Sequence, residues 1–198
     1  MAANKDNISY HYYTLEEYFA LEHAGDARFE YWDGDIVCMS GGDQRHYTLS
    51  RNLVVRVQVK LDGGPCQAFP AEVPVKTPTL PPYRYPDVSV VCGEPKYEKV
   101  GGIDALLNPV MIVEVLSPST ASRDKDQKFK AYQAIPTFKE YLLISQDAVE
   151  VTHYKLQSNG LWLRKDLTDR NATLVFDSIG ISLPVMEIYK GLTFDSNS

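Results

Sequence analysis

Apolar positions along this chain follow two rhythms, one with helical spacing and one with strand spacing. Thr14 followed by Glu17 makes a capping box, which predicts a helix to about Ala24 that Gly25 and Asp26 stop. Residues 29–32 and 36–39 are short β-type runs around Asp33-Gly34, a pair suited to a tight hairpin turn. Gly41-Gly42 break the chain. Asp43 then caps a second helix to about Leu61, with Leu49, Leu53, Val54 and Val57 along one side. Residues 66–69 and 73–76 read as strands, and a proline-rich loop follows at 78–82. Pro86 opens a strand over 87–91, and 93–108 reads as a loop. The segment 109–116 is almost continuously apolar and β-branched, as expected of a strand covered on both faces. A turn at 117–120 leads into a helix over 122–134, which Pro136 closes, and 138–145 is another central strand. Short strands with turns at 158–160 and 169–171 fill 149–175, and 195–198 reads as a frayed tail. The order predicts an α/β fold in one domain, residues 1–194. Its mixed central β-sheet is flanked by helices and carries additional C-terminal strands.

Composition narrows the function classes. Hydrophobic residues make up 44% and charged residues 23% of the 198, enough apolar material for one sizeable core. The formal net charge of −6 argues against a protein that coats nucleic acid through a basic face. It leaves room for a nuclease, whose metal-binding carboxylates add negative charge. No apolar run is long enough for a bilayer, and residues 1–10 lack the apolar stretch of a signal segment. Cys38, Cys66 and Cys92 are widely spaced and form no CxxC pair. They are expected to be unpaired, small buried hydrophobes in a reducing, cytoplasmic compartment.

Glu114 carries the most information, because it interrupts the apolar run Val110-Met-Ile-Val-Glu-Val-Leu116. A buried carboxylate needs a cation, either a metal ion or a lysine or arginine partner; alternatively, the strand end is open to solvent. Asp87 stands at the mouth of a second apolar strand, after Pro86, where it is either a turn residue or a partner to Glu114. If the two strands are neighbours, the pair can share a hard cation such as Mg²⁺ or Mn²⁺. Asp124, Lys128 and Tyr132 recur every four residues on the following helix, an ordinary ion-pair spacing that also brings them near the Glu114 strand. The stretch from Ala121 to Glu140, which holds that helix, is mildly basic, through Arg123, Lys125, Lys128, Lys130 and Lys139, in an acidic protein. Phosphate-loop, dinucleotide, nucleophile-elbow and HExxH motifs are missing, and the four histidines share no ligand spacing.

Tyr85-Pro86-Asp87, the block Glu114-Val-Leu-Ser-Pro-Ser-Thr120, and then Asp124, Lys128 and Tyr132 together resemble the Uma family of restriction-endonuclease-like proteins. Phe29-Glu30-Tyr-Trp-Asp-Gly34 and His46 match the same family's N-terminal pattern, and the likeness runs from about Thr14 to Val185. The resemblance implies membership of the PD-(D/E)XK nuclease superfamily, with a restriction-endonuclease-like fold. It implies metal-dependent hydrolysis of DNA phosphodiester bonds, with Asp87 and Glu114 as ligands of Mg²⁺ or Mn²⁺. By the same likeness Glu30 completes or orients the metal shell, Lys128 assists the chemistry, and His46, Ser117, Asp124 and Tyr132 line the site. The expected partners are DNA and a second copy of the chain in a homodimer, with no membrane. One departure matters: the motif expects lysine two positions after Glu114, where this chain has Leu116. Lys128 must reach back from the helix to supply the ammonium. The competing expectation is a non-catalytic restriction-fold scaffold that binds nucleic acid or protein.

Overall fold

The structure is a computed structural model and describes residues 11–25, 27–39, 42–117 and 121–194. Asp26, Gly41, positions 118–120 of the expected turn and the expected tail at 195–198 lie outside the described residues. The chain divides into two compact units, Met1–Ser40 and Gly41–Ser198.

In the N-terminal unit, helix α1 (Leu15–Ala24) starts at the capping box read from the sequence. Thr14 Oγ accepts from the Glu17 N–H, and the Glu17 carboxylate accepts from the Thr14 N–H. Gly25 ends the helix in a left-handed conformation (φ 78°). Strands β1 (Phe29–Trp32) and β2 (Asp35–Cys38) form the expected hairpin around Asp33 and Gly34, both with positive φ. Gly34 is required there for a second reason: a Cβ would lie 2.8 Å from the Tyr12 ring. The buried Tyr18 ties helix to hairpin, its hydroxyl donating to the Phe29 carbonyl at 2.9 Å.

The second unit is built on a six-stranded sheet in the order β10-β9-β8-β7-β4-β3. Its members are β3 (Cys66–Pro70), β4 (Val88–Cys92), β7 (Met111–Leu116), β8 (Glu140–Ser145), β9 (Val151–Leu156) and β10 (Trp162–Leu167). Only β7 and β8 run parallel; the other neighbours are antiparallel. Helix α2 (Gln44–Leu61), capped by Asp43, lays Leu49, Leu53, Val57 and Leu61 onto one face. Met111, Val113 and Val115 of β7 meet them there, together with β11 (Thr173–Phe176), β12 (Ile181–Pro184) and the short α5 (Val185–Ile188). Ile112 points the other way, into a second core with Tyr132, Ile135, Phe138, Tyr141 and Leu143. A strand that feeds cores on both faces cannot alternate polar and apolar residues, which is why 109–116 reads as one apolar run.

The helix expected over 122–134 is present as α3 (Ala121–Arg123), a π-helical turn (Asp124–Lys128) and α4 (Phe129–Gln133) in unbroken succession. Three other expectations are corrected. Residues 73–76 form no strand. Val75 alone bridges to Arg84 and Leu106, because Pro74 has no N–H to continue a ladder. The segment expected as a loop at 93–108 contains a hairpin, β5 (Tyr97–Val100) and β6 (Ile103–Leu106), turned by Gly101 and Gly102 with positive φ. The cysteines are neither all unpaired nor all buried. Cys66 and Cys92 face each other in the β3–β4 register and form a disulfide, while Cys38 is exposed.

Candidate active site

The β4–β7 register brings the two singled-out acids to one place. Val88 faces Val113 and Ser89 faces Ile112; continued by one residue, the ladder sets Asp87 beside Glu114. Asp87 locks onto the neighbouring strand directly, its Oδ2 accepting from the Val115 N–H at 2.7 Å. Its Oδ1 meets His46 Nε2 at 2.9 Å and accepts from Ser50 Oγ at 3.2 Å. His46 and Ser50 stand one turn apart on α2, so the helix holds the carboxylate from one side and β7 from the other.

Glu114 is 3% exposed and sits in a buried polar cluster supplied by the helix that follows it. Lys128 Nζ lies 3.2 Å from Glu114 Oε1 and 3.1 Å from Asp124 Oδ1, and Tyr132 donates its hydroxyl to Glu114 Oε1 at 2.9 Å. Lys128 therefore spans from the π turn to β7, the reach that the leucine at position 116 demands. Asp124 and Lys128 are the first and last residues of that turn, both nearly inaccessible. Such widened turns recur where a side chain must be re-aimed at a functional position. Tyr141 closes the cluster from below, donating to the Asp124 carbonyl at 2.9 Å. Burial, reinforced by the negative charges of Glu114 and Asp124, pushes its phenol well above the usual range, so it stays a neutral donor.

The imidazole of His46 shows two opposed influences. Burial favours its neutral form, but the hydrogen bond to Asp87 and the charges of Asp87, Asp43 and Asp124 outweigh burial and raise its pKa. Its seat is close: a Cβ on Gly42 would come within 2.9 Å of the ring.

The sequence-derived set is thus partly assembled. Asp87, Glu114, Lys128, Asp124, Tyr132 and His46 are joined by direct contacts or through the β4–β7 ladder. Ser117 follows β7, and its carbonyl accepts from the Ala121 N–H at 2.9 Å. Glu30 belongs to the N-terminal unit, buried on β1 opposite Val37. Sequence reading missed Ser50, although its spacing four residues after His46 was a usable signal. It also missed the Val115 N–H, a backbone donor that no residue type announces. As candidate ligands, Asp87 and Glu114 offer the hard oxygen donors that Mg²⁺ and Mn²⁺ prefer. Among the described residues, no three His, Cys, Asp or Glu side chains converge tightly enough to hold a metal ion.

A mixed sheet with paired acids at the mouth of two adjacent strands, flanked by helices, is a restriction-endonuclease-like fold. The chain belongs to the Uma2 family, described as "Putative restriction endonuclease", which it matches over residues 15–186. It is 35% identical to the uncharacterized protein slr1290 of Synechocystis sp., over 98% of this chain and all of that one. It is 33% identical to a second Synechocystis protein, the uncharacterized sll1609, over 85% of this chain and 94% of the relative. In three dimensions it resembles a crystal structure described as "a putative nuclease belonging to DUF820" from Anabaena variabilis. That likeness has a TM-score of 0.64 and 17% identity, over 82% of this chain and 90% of that one, and at such identity it concerns the fold. No helix among the described residues is long and apolar enough to cross a membrane.

Proposed function

We propose that this protein is a divalent-metal-dependent nuclease that hydrolyses DNA phosphodiester bonds, with Asp87 and Glu114 as the metal ligands. The observation that carries the reading is the buried Lys128 ammonium 3.2 Å from Glu114. It provides the cation of the superfamily motif from a helix when the motif's own strand position is leucine. Family membership and the fold shared with the Anabaena variabilis protein described as "a putative nuclease" support the same reading. Asp87 and Glu114 would hold Mg²⁺ or Mn²⁺, whose chemistry there would be to lower the pKa of a water and offset charge on the phosphate. The chain's own groups do the positioning. His46, Ser50 and the Val115 N–H fix the rotation of the Asp87 carboxylate, while Tyr132 and Lys128 fix that of Glu114. The Lys128 ammonium orients the attacking water and stabilises negative charge gathering on the phosphate oxygens. Its three N–H donors allow it to contact Glu114 and a water together.

The test is nicking of supercoiled plasmid in Mn²⁺ or Mg²⁺ by the wild type and by Asp87→Asn. The variant is expected to be slower by roughly a hundredfold, the scale of losing one such electrostatic group. Equal rates would remove Asp87 from the chemistry.

A non-catalytic scaffold is the second reading, favoured by one observation: Lys128 already pairs with both Glu114 and Asp124, so the buried acids have a counter-ion from the chain itself. Calorimetric titration with Mn²⁺ separates the two. Heat that Asp87→Asn and Glu114→Gln both abolish supports the nuclease, and no heat supports the scaffold.

A further inference from the structure

A cavity of about 260 Å³ opens on the sheet face that carries Glu114, and the proposed chemistry makes no use of it. Leu116, Lys125, Leu143, Thr152, Tyr154 and Arg164 are among its walls. The sheet register locates it. Glu114 faces Leu143, Leu143 faces Thr152, and Thr152 faces Asp166, so these four form one row across β7, β8, β9 and β10. Tyr141, Tyr154 and Arg164 make the adjacent row on the same face. Strands lie about 4.8 Å apart, so the cavity floor begins one strand away from Glu114.

Its chemistry is unlike that of a phosphate cradle. Lys125 and Arg164 are matched by Asp126 and Glu150, so no net positive field selects a bare anion. The lining offers a ring, a planar donor fork and carboxylate acceptors. Asp166 accepts from Arg164 Nε at 3.1 Å and from Thr152 Oγ at 2.7 Å. This holds the guanidinium over Tyr154, 5.9 Å from the ring centroid. An oriented guanidinium suits the carbonyl and ring-nitrogen acceptors of a base edge, carboxylates suit exocyclic amino groups, and the tyrosine offers a stacking surface. The volume falls below the roughly 300–1,000 Å³ typical of drug-sized sites, which fits one base or nucleoside and excludes a paired duplex.

We propose that this cavity is a subsite for a single unpaired nucleobase, next to the phosphate attacked at the Asp87–Glu114 site. The inference rests on the nuclease reading above and adds a substrate class to it: single strands, or duplexes from which a base has been turned out. To test it, the full chain, without added metal, is titrated with each of the four deoxyribonucleosides and separately with inorganic phosphate, with backbone amides followed by NMR. At least one nucleoside should shift the amides of Leu143, Thr152, Tyr154 and Arg164 saturably, and phosphate should not. The substitutions Arg164→Gln and Lys125→Gln, both at exposed positions, should weaken that nucleoside at least fivefold with the remaining spectrum intact. No shift, a shift produced by phosphate alone, or unaltered binding by both variants overturns the proposal. Cleavage by the same preparation keeps the two readings apart. Nicking without nucleoside binding overturns the subsite and leaves the nuclease standing. Binding without nicking overturns the nuclease and leaves the base recognition.

Discussion

Replacing Lys128 by methionine tests the centre of the site most directly. The side chain is 2% exposed and sits between two carboxylates, Glu114 at 3.2 Å and Asp124 at 3.1 Å, that are equally inaccessible. Methionine keeps much of the stem and deletes the charge, which leaves two buried anions without their shared cation. Removing one partner of a buried ion pair costs about 3–5 kcal/mol, mainly because the remaining charge stays desolvated. Tyr132 still donates to Glu114, so the lower end, about 3 kcal/mol, is expected. With a urea slope of about 1–3 kcal/mol per molar, that is a midpoint lower by at least about 1 M. Two companions sharpen the test. Adding Glu114→Gln to Lys128→Met should recover part of the loss, because one of the stranded charges is gone. Mn²⁺ should stabilise Lys128→Met by about 2.7 kcal/mol at a hundred times its dissociation constant from that variant, and wild type by less at the same concentration, since the ion replaces the missing ammonium. Equilibrium urea unfolding followed by circular dichroism measures all three. A Lys128→Met midpoint within about 0.3 M of wild type would refute the argument that this ammonium is the counter-ion of both acids.

Other expected outcomes follow from the same contacts. Tyr132→Phe removes one hydrogen bond to a charged acceptor and should cost about 1.5–3 kcal/mol in the same assay, with the aromatic packing retained. His46 is held above its ordinary value of 6.5 by Asp87, Asp43 and Asp124 against burial. Its contribution to stability is therefore full below about 6.5 and fades as pH rises through the raised folded value. His46→Gln should flatten that part of the stability-versus-pH curve, and an unchanged slope would count against the ion pair. Gly42→Ala places a methyl 2.9 Å from the imidazole. It should weaken Mn²⁺ binding by displacing the His46 grip on Asp87, while α2 itself, judged by circular dichroism, persists.

How far the sequence could be read depended on the range of the forces involved. Local chemistry was legible: the Thr14–Glu17 capping box, the Asp43 cap of α2 and the Asp33-Gly34 hairpin are each set by neighbours a few residues away. So was the anomaly of Glu114, because a carboxylate inside an apolar strand violates burial rules whatever surrounds it. Its partners were legible by helical spacing, but the geometry that joins them was not. A π turn differs from an α turn by a single residue's hydrogen bonding, and Asp124–Lys128 gives no compositional warning of it. The Cys66–Cys92 bond depended on which strands pair, a non-local fact, and 26 residues separate the two. The Val115 N–H was hidden for the same reason: it acquires meaning only when β4 lies against β7. The β5–β6 hairpin was visible in principle, through Gly101-Gly102 between alternating residues, and the glycine-rich surroundings made the segment look like a loop.

The hairpin's position has a consequence for how lineages of this protein can diverge. It is an excursion between β4 and β7, so its length places no constraint on how those two strands meet; their alignment is set by side chains that must enter opposite cores. Insertions and deletions between positions 93 and 110 can therefore accumulate without parting Asp87 from Glu114. A single residue gained or lost within 111–116 would rotate the acid under α2 and turn Val113 or Val115 toward Lys128. Length variation should accordingly crowd into the first interval and spare the second, leaving a molecule whose silhouette drifts around a stationary ladder.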